Sequence, residues 1–435
     1  MSGLKFIFSA WHHLHSWQKI LVALLGGIAT GLLLGPYAIY LKPIGSLFIN
    51  AITMMVAPVV FTAIVCAILS INDPQRMRRL GLKTILLYTV SMASAAIIGL
   101  SLATALSPGK NFHPKLEEAL PASLQQAPTL IETLVNIVPS NPVSAFAHGN
   151  IIQILVFALL LGISINLTGE AAEPVAKFFK AFSLVVFKLT SIVMSFAPLG
   201  IFALMAWVSG EFGLSALIPL FKLVLTVYLA CLLHCFLFYS SFLAYVAKLN
   251  PIKFYKGIMH PMMLAFTSSS SAATLPVTMK TAEGNLGISP SIGRFLLPLG
   301  TTLNLNGLSI YLGVATVFAA NMYGIELGLV QYLTIIFSII LTCMGAGGIP
   351  GTGIIVMSAV MSSVSLPLGA IPLIAGVDRL NDMAQTTTNV IGDLFAATVI
   401  AKHERELDLD VYNQTQQQET VGVSASESES LKEST

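Results

Sequence analysis

Charged residues are scarce in this chain. Asp, Glu, Lys and Arg make up 10% of its 435 residues, whereas 55% are hydrophobic. Because ordinary soluble domains carry about 25% charged residues, the composition excludes that class. Apolar runs of about 20 residues or more, enough for a helix to cross a bilayer, recur from Trp17 to Ala401. The sequence therefore predicts an all-α, polytopic membrane protein that is surrounded by a lipid bilayer.

Cysteine and catalytic motifs are equally sparse. The four cysteines lie in apolar segments and suggest no disulfide framework. The Ser-rich stretch has neither a Gly-x-Ser-x-Gly motif nor a convincing histidine partner, so the chain is not predicted to be an enzyme. We expect no bound cofactor and no nucleic-acid partner.

Basic residues are few but clustered, and their positions predict the topology. They concentrate in the loops at 76–83, 177–180 and 248–256, which the positive-inside rule places in the cytoplasm, together with both termini. The first apolar run shows no obvious cleavage site and is interpreted as a membrane helix rather than a signal peptide. We expect a multi-pass protein of the plasma membrane, which in bacteria is the inner membrane.

The first half of the chain is divided into apolar spans by polar or charged breaks. The predicted spans are 18–40, 44–71, 82–107, 127–168, 174–207 and 213–247. The segment 127–168 is too long for one straight span, and Pro139, Pro142 and the pair Gly149–Asn150 are expected to interrupt it.

Two irregular stretches stand out after residue 250. TSSSSAATLP (267–276) and GAGGIPGTG (345–353) each lie between apolar segments too short for two full crossings. Irregular backbone survives in a membrane only where protein buries it or where it lines a cavity, so both predict the tips of re-entrant hairpins. Each is followed by a helix that carries Asn-x-x-Gly, which suggests an inverted repeat with a binding site near the midplane.

Polar side chains in the last two helices are the candidate functional groups. Spacings of 7 and 11 residues place Asp382, Asn389 and Asp393 on one helical stripe, which also includes Gln385 and Thr386. Ionisable residues inside membrane helices are costly and usually functional. For Asp378 and Arg379 a second interpretation fits equally well: they would mark a helix end at the membrane–water interface and have no functional role. Asn304 and Asn306 are either interhelical hydrogen-bonding residues or part of an all-oxygen site for a hard cation.

Several motifs together resemble the dicarboxylate/amino-acid:cation symporter family. They are AFTSSSSAATLPVTM, PLGTTLNLNGLSIY, GGIPGTG and VDRLNDMAQTTTNVIGD, with further similarity upstream, and the resemblance covers roughly residues 15–402. It implies a homotrimer in which each protomer has eight transmembrane helices and two re-entrant hairpins. Substrate would lie between the hairpin tips and unwound parts of the seventh and eighth helices, in a domain that moves like an elevator.

The resemblance also implies a division of the chain. Residues 1–17 would be a cytoplasmic N-terminus, and 18–250 would supply scaffold helices 1, 2, 4 and 5 for trimerisation together with transport helices 3 and 6. Residues 251–402 would form the transport core. The polar segment 403–435 would be a disordered cytoplasmic tail.

The family's functional positions carry over residue by residue as expectations. The substrate site would comprise Ser271, Ile349, Gly353, Asp382, Gln385, Thr386 and Asn389, with Asp382 taking the substrate amino group. One sodium site would use carbonyls of Gly300, Asn304 and Asn389 with the Asp393 carboxylate. A second would use carbonyls of Thr302, Cys343, Met344 and Ala346. A third, expected to be weak or absent, would involve Ser91, Asn304 and Asn306.

Departures from the family pattern decide the predicted substrate. Gln385 stands where relatives have an arginine for the substrate's second carboxylate, and Ser269 and Met383 stand where another arginine occurs. With no arginine expected nearby, the sequence predicts a sodium-coupled carrier of a neutral amino acid. The alternatives are an acidic amino-acid or dicarboxylate symporter coupled to sodium or protons, or a non-transporting channel or receptor of the same fold.

Overall fold

The computed structural model describes residues 16–69, 76–110, 112, 138–148, 151–344, 346 and 351–414. These residues form helices joined by turns. They contain no β-strand, and one isolated bridge pairs Ile288 with Leu407. The all-α prediction is therefore confirmed for the described part of the chain. The expected break at Gly149–Asn150 and the tip residue Ile349 lie outside the described residues.

The first half of the chain follows the predicted spans, with two additional breaks. Its helices are α1 (Ser16–Leu34), α2 (Lys42–Met54), α3 (Val56–Leu69), α4 (Arg76–Leu106), α5 (Pro142–Ala147), α6 (Ile151–Thr168), α7 (Glu173–Ser195), α8 (Ala197–Phe212) and α9 (Leu214–Leu233). The predicted spans 44–71 and 174–207 are thus each two helices, separated at Met55 and Phe196. Pro198 lies in the first turn of α8, where a missing backbone N–H is tolerated.

The second half alternates short helix pairs with longer helices. After two π-helical segments, His234–Ser240 and Phe242–Val246, come α10 (Pro251–Gly257), α11 (Met259–Ser268), α12 (Ser271–Gly284), α13 (Pro290–Leu303), α14 (Asn306–Tyr323), α15 (Leu329–Cys343), α16 (Thr352–Ser363), α17 (Ile371–Ala375), α18 (Asp378–His403) and α19 (Leu409–Gln414). Helix α11 packs against α12, and α15 packs against α16.

Long apolar helical stretches and exposed apolar side chains identify a multi-pass membrane protein. The stretches long and apolar enough to cross a bilayer, among the described residues, are Gln18–Cys66, Leu80–Leu106, Val156–Ser195, Leu214–Val246 and Pro290–Tyr323. Leu33 and Leu167, 87% and 83% exposed, would be unfavourable in water but suit contact with lipid.

Two helices that carry predicted functional side chains, α14 and α18, occupy the centre of the fold. Helix α14 is buried along nearly its whole length and packs against α4 and α18. Helix α18 is buried almost as completely and contacts α9, α11, α12 and α13 as well. The predicted functional stripe therefore lies inside protein rather than against lipid.

The segment that follows α18 corrects one expectation. Residues 403–414 were predicted to belong to a disordered tail, but Glu406 accepts hydrogen bonds from the hydroxyls of Ser289 and Ser291 at 2.6 and 2.7 Å. The backbone N–H of Asp408 also donates to Gly287, and α19 follows. These bonds fix the segment to the start of α13. Residues 415–435 lie outside the described residues.

Candidate functional site

The Ser-rich stretch forms a tight turn between α11 and α12. Ser269 has a left-handed backbone with φ of 50°, and the hydroxyl of Ser270 accepts from the Ala273 N–H at 3.2 Å, capping α12. Ser271 is buried in the first turn, and its hydroxyl has no hydrogen-bond partner among the described residues. The hydroxyls that disfavour a continuous helix thus build the turn, and Ser271 retains free hydrogen-bonding capacity.

The second break separates α13 from α14. Asn304 and Leu305 leave the helical conformation, with ψ of 65° at both residues, while the Asn304 N–H still donates to the Gly300 carbonyl at 2.9 Å. A break of this kind frees backbone carbonyls in a buried region. The predicted interruption of the seventh helix is therefore present. The unwinding of the eighth helix stays a prediction: α17 ends at Ala375, and after Gly376 and Val377 α18 runs without interruption from Asp378 to His403.

Asp393 faces this break. The Asn304 side-chain amide donates to Asp393 Oδ1 at 3.0 Å, and both residues are about 1% exposed. Gly300 lies so close that a Cβ added to it would overlap the Asp393 carboxylate. Gly300, Asn304 and Asp393 are therefore brought together as predicted for the first cation site. Asn389 lies one turn before Asp393, and its side-chain oxygen accepts from the Gly307 N–H at 2.7 Å.

The donor chemistry at this place suits a hard monovalent cation. In the described part of the chain, no three His, Cys, Asp or Glu side chains are close enough to share a metal ion. A cation beside Asp393 would therefore be held by one carboxylate together with carbonyl and amide oxygens, which are the ligands that sodium-like hard cations accept.

The predicted second cation site lies at helix ends. Thr302 is in the last turn of α13, and Cys343 is the last residue of α15, with Met344 and Ala346 following it. The Ala346 N–H donates to the Cys343 carbonyl at 3.4 Å. Carbonyls in the last turn of a helix have no intrahelical donor, which leaves them able to act as ligands. The proximity of Thr302 to the other three stays a prediction.

The third predicted cation site contains two unused oxygens. Ser91 Oγ and Asn306 Oδ1 are buried and have no hydrogen-bond partner among the described residues. The Asn306 amide donates to Asn304 Oδ1 at 2.9 Å and so joins the network that leads to Asp393. Both oxygens are neutral. Any cation here would lack a carboxylate of its own from these residues.

Asp382 is the centre of the predicted substrate site. Its Oδ2 accepts from Arg379 Nη1 at 2.9 Å and from the Gly351 N–H at 3.3 Å, and its Oδ1 accepts from the Thr386 hydroxyl at 3.3 Å. Gly351 precedes α16, so the second irregular stretch reaches the polar stripe of α18. Asp382 and Thr386 are therefore brought together as predicted.

Gln385 and Gly353 flank this centre. Gln385 is 2% exposed, and its Nε2 has no hydrogen-bond partner among the described residues. Gly353 lies against Tyr311, since a Cβ there would come within 2.7 Å of Tyr311 Cε1 and 3.4 Å of Asp378 Oδ1. Gln385 thus offers an amide donor one helical turn from Asp382, and Gly353 brings the start of α16 close to Asp378.

Sequence reasoning missed two members of the site. Asp378 and Arg379 were equally compatible with a helix end at the water interface, yet they are 4% and 9% exposed. Tyr311 donates to Asp378 Oδ1 at 2.8 Å. The expectation that no arginine lies near Asp382 is wrong, because Arg379 is bonded to it. The i,i+3 spacing of Arg379 and Asp382 was the available signal.

Comparison with known proteins supports the same functional class. Residues 17–403 match the sequence profile of the sodium:dicarboxylate symporter family. A proton/sodium-glutamate symport protein of Geobacillus stearothermophilus is 33% identical over 401 residues, covering 89% of this chain and 94% of the relative. A C4-dicarboxylate transport protein of Bacillus subtilis is 35% identical over 402 residues, covering 90% and 94%. A proton/glutamate-aspartate symporter of Escherichia coli is 34% identical over 418 residues, covering 90% and 93%.

Proposed function

The chain belongs to the sodium:dicarboxylate symporter family, and from this premise we propose that it is a cation-coupled symporter for a substrate with two carboxylates. The observation that carries the proposal is the buried Arg379–Asp382 pair at 2.9 Å, one turn from Gln385. It places a permanent positive charge in the polar centre of a membrane protein. The prediction of a neutral amino acid is not supported, because it depended on the absence of such a charge.

The network around Asp393 supports cation coupling. A carboxylate buried beside a helix break, with Asn304 and Gly300 in contact, needs a positive partner to offset its removal from water. Among the described residues, the one buried Lys or Arg is Arg379, which is bonded to Asp382 instead. A co-transported sodium ion would supply the missing charge, with a proton as the alternative carrier of that charge.

The arrangement in the membrane is proposed from the family resemblance. We place eight transmembrane helices and two re-entrant hairpins, α11–α12 and α15–α16, in each protomer of a homotrimer. The part from residue 251 onward would move as the core of an elevator-type transport domain, with helices 3 and 6. The protein would lie in the bacterial inner membrane with both termini in the cytoplasm. The Ser269 turn and the contacts of Gly351 with Asp382 support the hairpin assignment.

The test is uptake into proteoliposomes that contain the purified full-length chain. Labelled L-glutamate, L-aspartate, succinate and L-serine would be supplied separately, with an inward sodium gradient, an inward proton gradient, or neither. We expect a substrate with two carboxylates to accumulate only when a cation gradient is present. Liposomes without protein give the background.

Two outcomes would overturn the proposal. Preferential accumulation of serine would restore the neutral-substrate prediction. Equilibration of every substrate without accumulation, regardless of the gradient, would instead indicate a channel of the same fold.

A further inference from the structure

Arg379 has hydrogen-bonding capacity that the described residues do not use. It is the only Lys or Arg that is buried among the described residues. Its side chain is 11% exposed, and it donates through Nη1 to Asp382. A guanidinium carries five N–H donors, and the described residues give it no second acceptor within hydrogen-bond distance. The remaining donors are available to a ligand.

Gln385 provides a further unused donor on the other side of Asp382. Asp382 follows Arg379 by one helical turn and precedes Gln385 by another, so the two donors flank the carboxylate along about 9 Å of helix axis. The Gln385 amide nitrogen is buried and has no partner among the described residues. The order along the helix is therefore cation, carboxylate, amide donor.

We propose that Arg379 binds the second carboxylate of the substrate, and that its ion pair with Asp382 is exchanged when an acidic amino acid enters. This rests on the proposed function, because it names the residue that recognises the substrate at that site. The substrate ammonium pairs with Asp382, the side-chain carboxylate takes the freed guanidinium, and Gln385 adds an amide donor. Asp382 and Arg379 then each have an opposite charge beside them both before and after binding, which is the condition for burying these two ions.

The same exchange selects against other substrates. A neutral amino acid has an ammonium for Asp382 but no second carboxylate, so it would leave the buried guanidinium unpaired. A dicarboxylate without an amino group would satisfy Arg379 but leave Asp382 beside another negative group. The arrangement therefore favours an amino acid that carries two carboxylates over both of these classes.

The test compares substrate selectivity in variants of Arg379. Binding of aspartate, succinate and serine would be measured by competition against labelled aspartate in proteoliposomes. Arg379→Gln removes the charge and is expected to weaken aspartate binding about 10- to 100-fold, the usual effect of losing hydrogen bonds to a charged group. Serine should weaken less, so the aspartate-to-serine selectivity falls. Arg379→Lys keeps the charge without the planar fork and should give an intermediate loss.

Two further variants separate recognition from folding. Arg294→Gln makes the same change at an arginine whose side chain is 68% exposed and should alter neither affinity. In Arg379→Gln with Gln385→Arg, a guanidinium returns on the other side of Asp382, and aspartate selectivity should recover. If Arg379→Gln does not fold, judged by size-exclusion chromatography, Arg379→Lys supplies the selectivity measurement.

The outcomes for this inference and for the proposed function are distinct. If wild type binds aspartate and the folded Arg379 variants keep the wild-type aspartate-to-serine ratio, Arg379 does not bind the substrate carboxylate, while the proposed function stands. If wild type binds succinate as tightly as aspartate, the ion-pair exchange is wrong. If wild type binds only serine, the proposed function itself fails, and that result needs no variant.

Discussion

Asn304 donates its side-chain amide to Asp393 Oδ1 across 3.0 Å, and this bond joins the break between α13 and α14 to the middle of α18. Asn304 lies at the break between two helices, whereas Asp393 lies within α18, which is not interrupted. Asn306 extends the network by donating to Asn304 Oδ1. The only carboxylate in this network is therefore held by an amide next to freed carbonyls, which makes it the place where cation coupling can be tested most directly.

Asp393→Asn should abolish or strongly weaken sodium-dependent substrate binding. The substitution removes the negative charge but leaves an amide oxygen that can still accept from Asn304, so we expect the fold to be retained. Calorimetric titration of sodium, with and without substrate, measures the effect. Asp410→Asn, a matching change in the exposed first turn of α19, is the control. Unchanged sodium dependence in Asp393→Asn would remove the assignment of Asp393 to a cation site.

Gly300→Ala tests the close approach of α13 to α18. Because a Cβ at Gly300 would overlap the Asp393 carboxylate, one helix must shift, and overpacking of this kind costs about 1–3 kcal/mol. We expect a lower Tm and weaker sodium binding in the same variant. Gly293→Ala, in the same helix with no atom within 4 Å of the added Cβ, should cause neither. Equal behaviour of the two variants would show that the contact is unimportant.

Tyr311→Phe tests the link between α14 and the start of α18. The change leaves Asp378 buried without the hydroxyl that donates to it at 2.8 Å, and an unsatisfied buried acceptor costs about 1–3 kcal/mol. We expect a measurably lower Tm in thermal unfolding of the purified protein. Tyr40→Phe, at a side chain that is 78% exposed, is the matched control. A Tm unchanged in both variants would mean that Asp378 needs no donor.

The features that the sequence predicted well depend on neighbours along the chain. The turn at Ser269 and Ser270 follows from a run of hydroxyls that compete with helical hydrogen bonds. The break at Asn304 follows from polar residues that interrupt an apolar helix. The polar stripe of α18 follows from helical periodicity alone. Each signal is local, so it survives without knowledge of what packs against it.

The features that the sequence did not predict depend on other helices. The sequence around Asp378 and Arg379 is compatible with either an exposed or a buried helix end. The contact with Tyr311 of α14 and the packing around α18 show that this end is buried. The prediction of a neutral substrate, which the comparisons do not support, depended on that ambiguity. Ser269 and Met383 occupy the positions at which relatives have an arginine. In this chain the arginine near Asp382 is Arg379, three residues before it.

Asn306 is predicted to limit how many cations accompany the substrate. Its side-chain oxygen and the Ser91 hydroxyl are buried without hydrogen-bond partners among the described residues, so they could contact a cation. Both are neutral, however, and in a low-dielectric interior a cation loses a strong attraction when a carboxylate is replaced by an amide. We therefore expect a weak or absent third site and fewer than three sodium ions per substrate in the wild type.

Asn306→Asp should strengthen that third site. The new carboxylate would lie beside Asn304, where it could attract a further sodium ion, and the number of sodium ions moved per substrate should rise by one. Reversal potentials in proteoliposomes, measured at several sodium gradients, give that number for both proteins. Asn321→Asp, which makes the same substitution near the other end of α14, should leave the number unchanged. A wild-type reversal potential that already requires three sodium ions would contradict the weak third site. A variant with the wild-type stoichiometry would show that Asn306 is not what limits it.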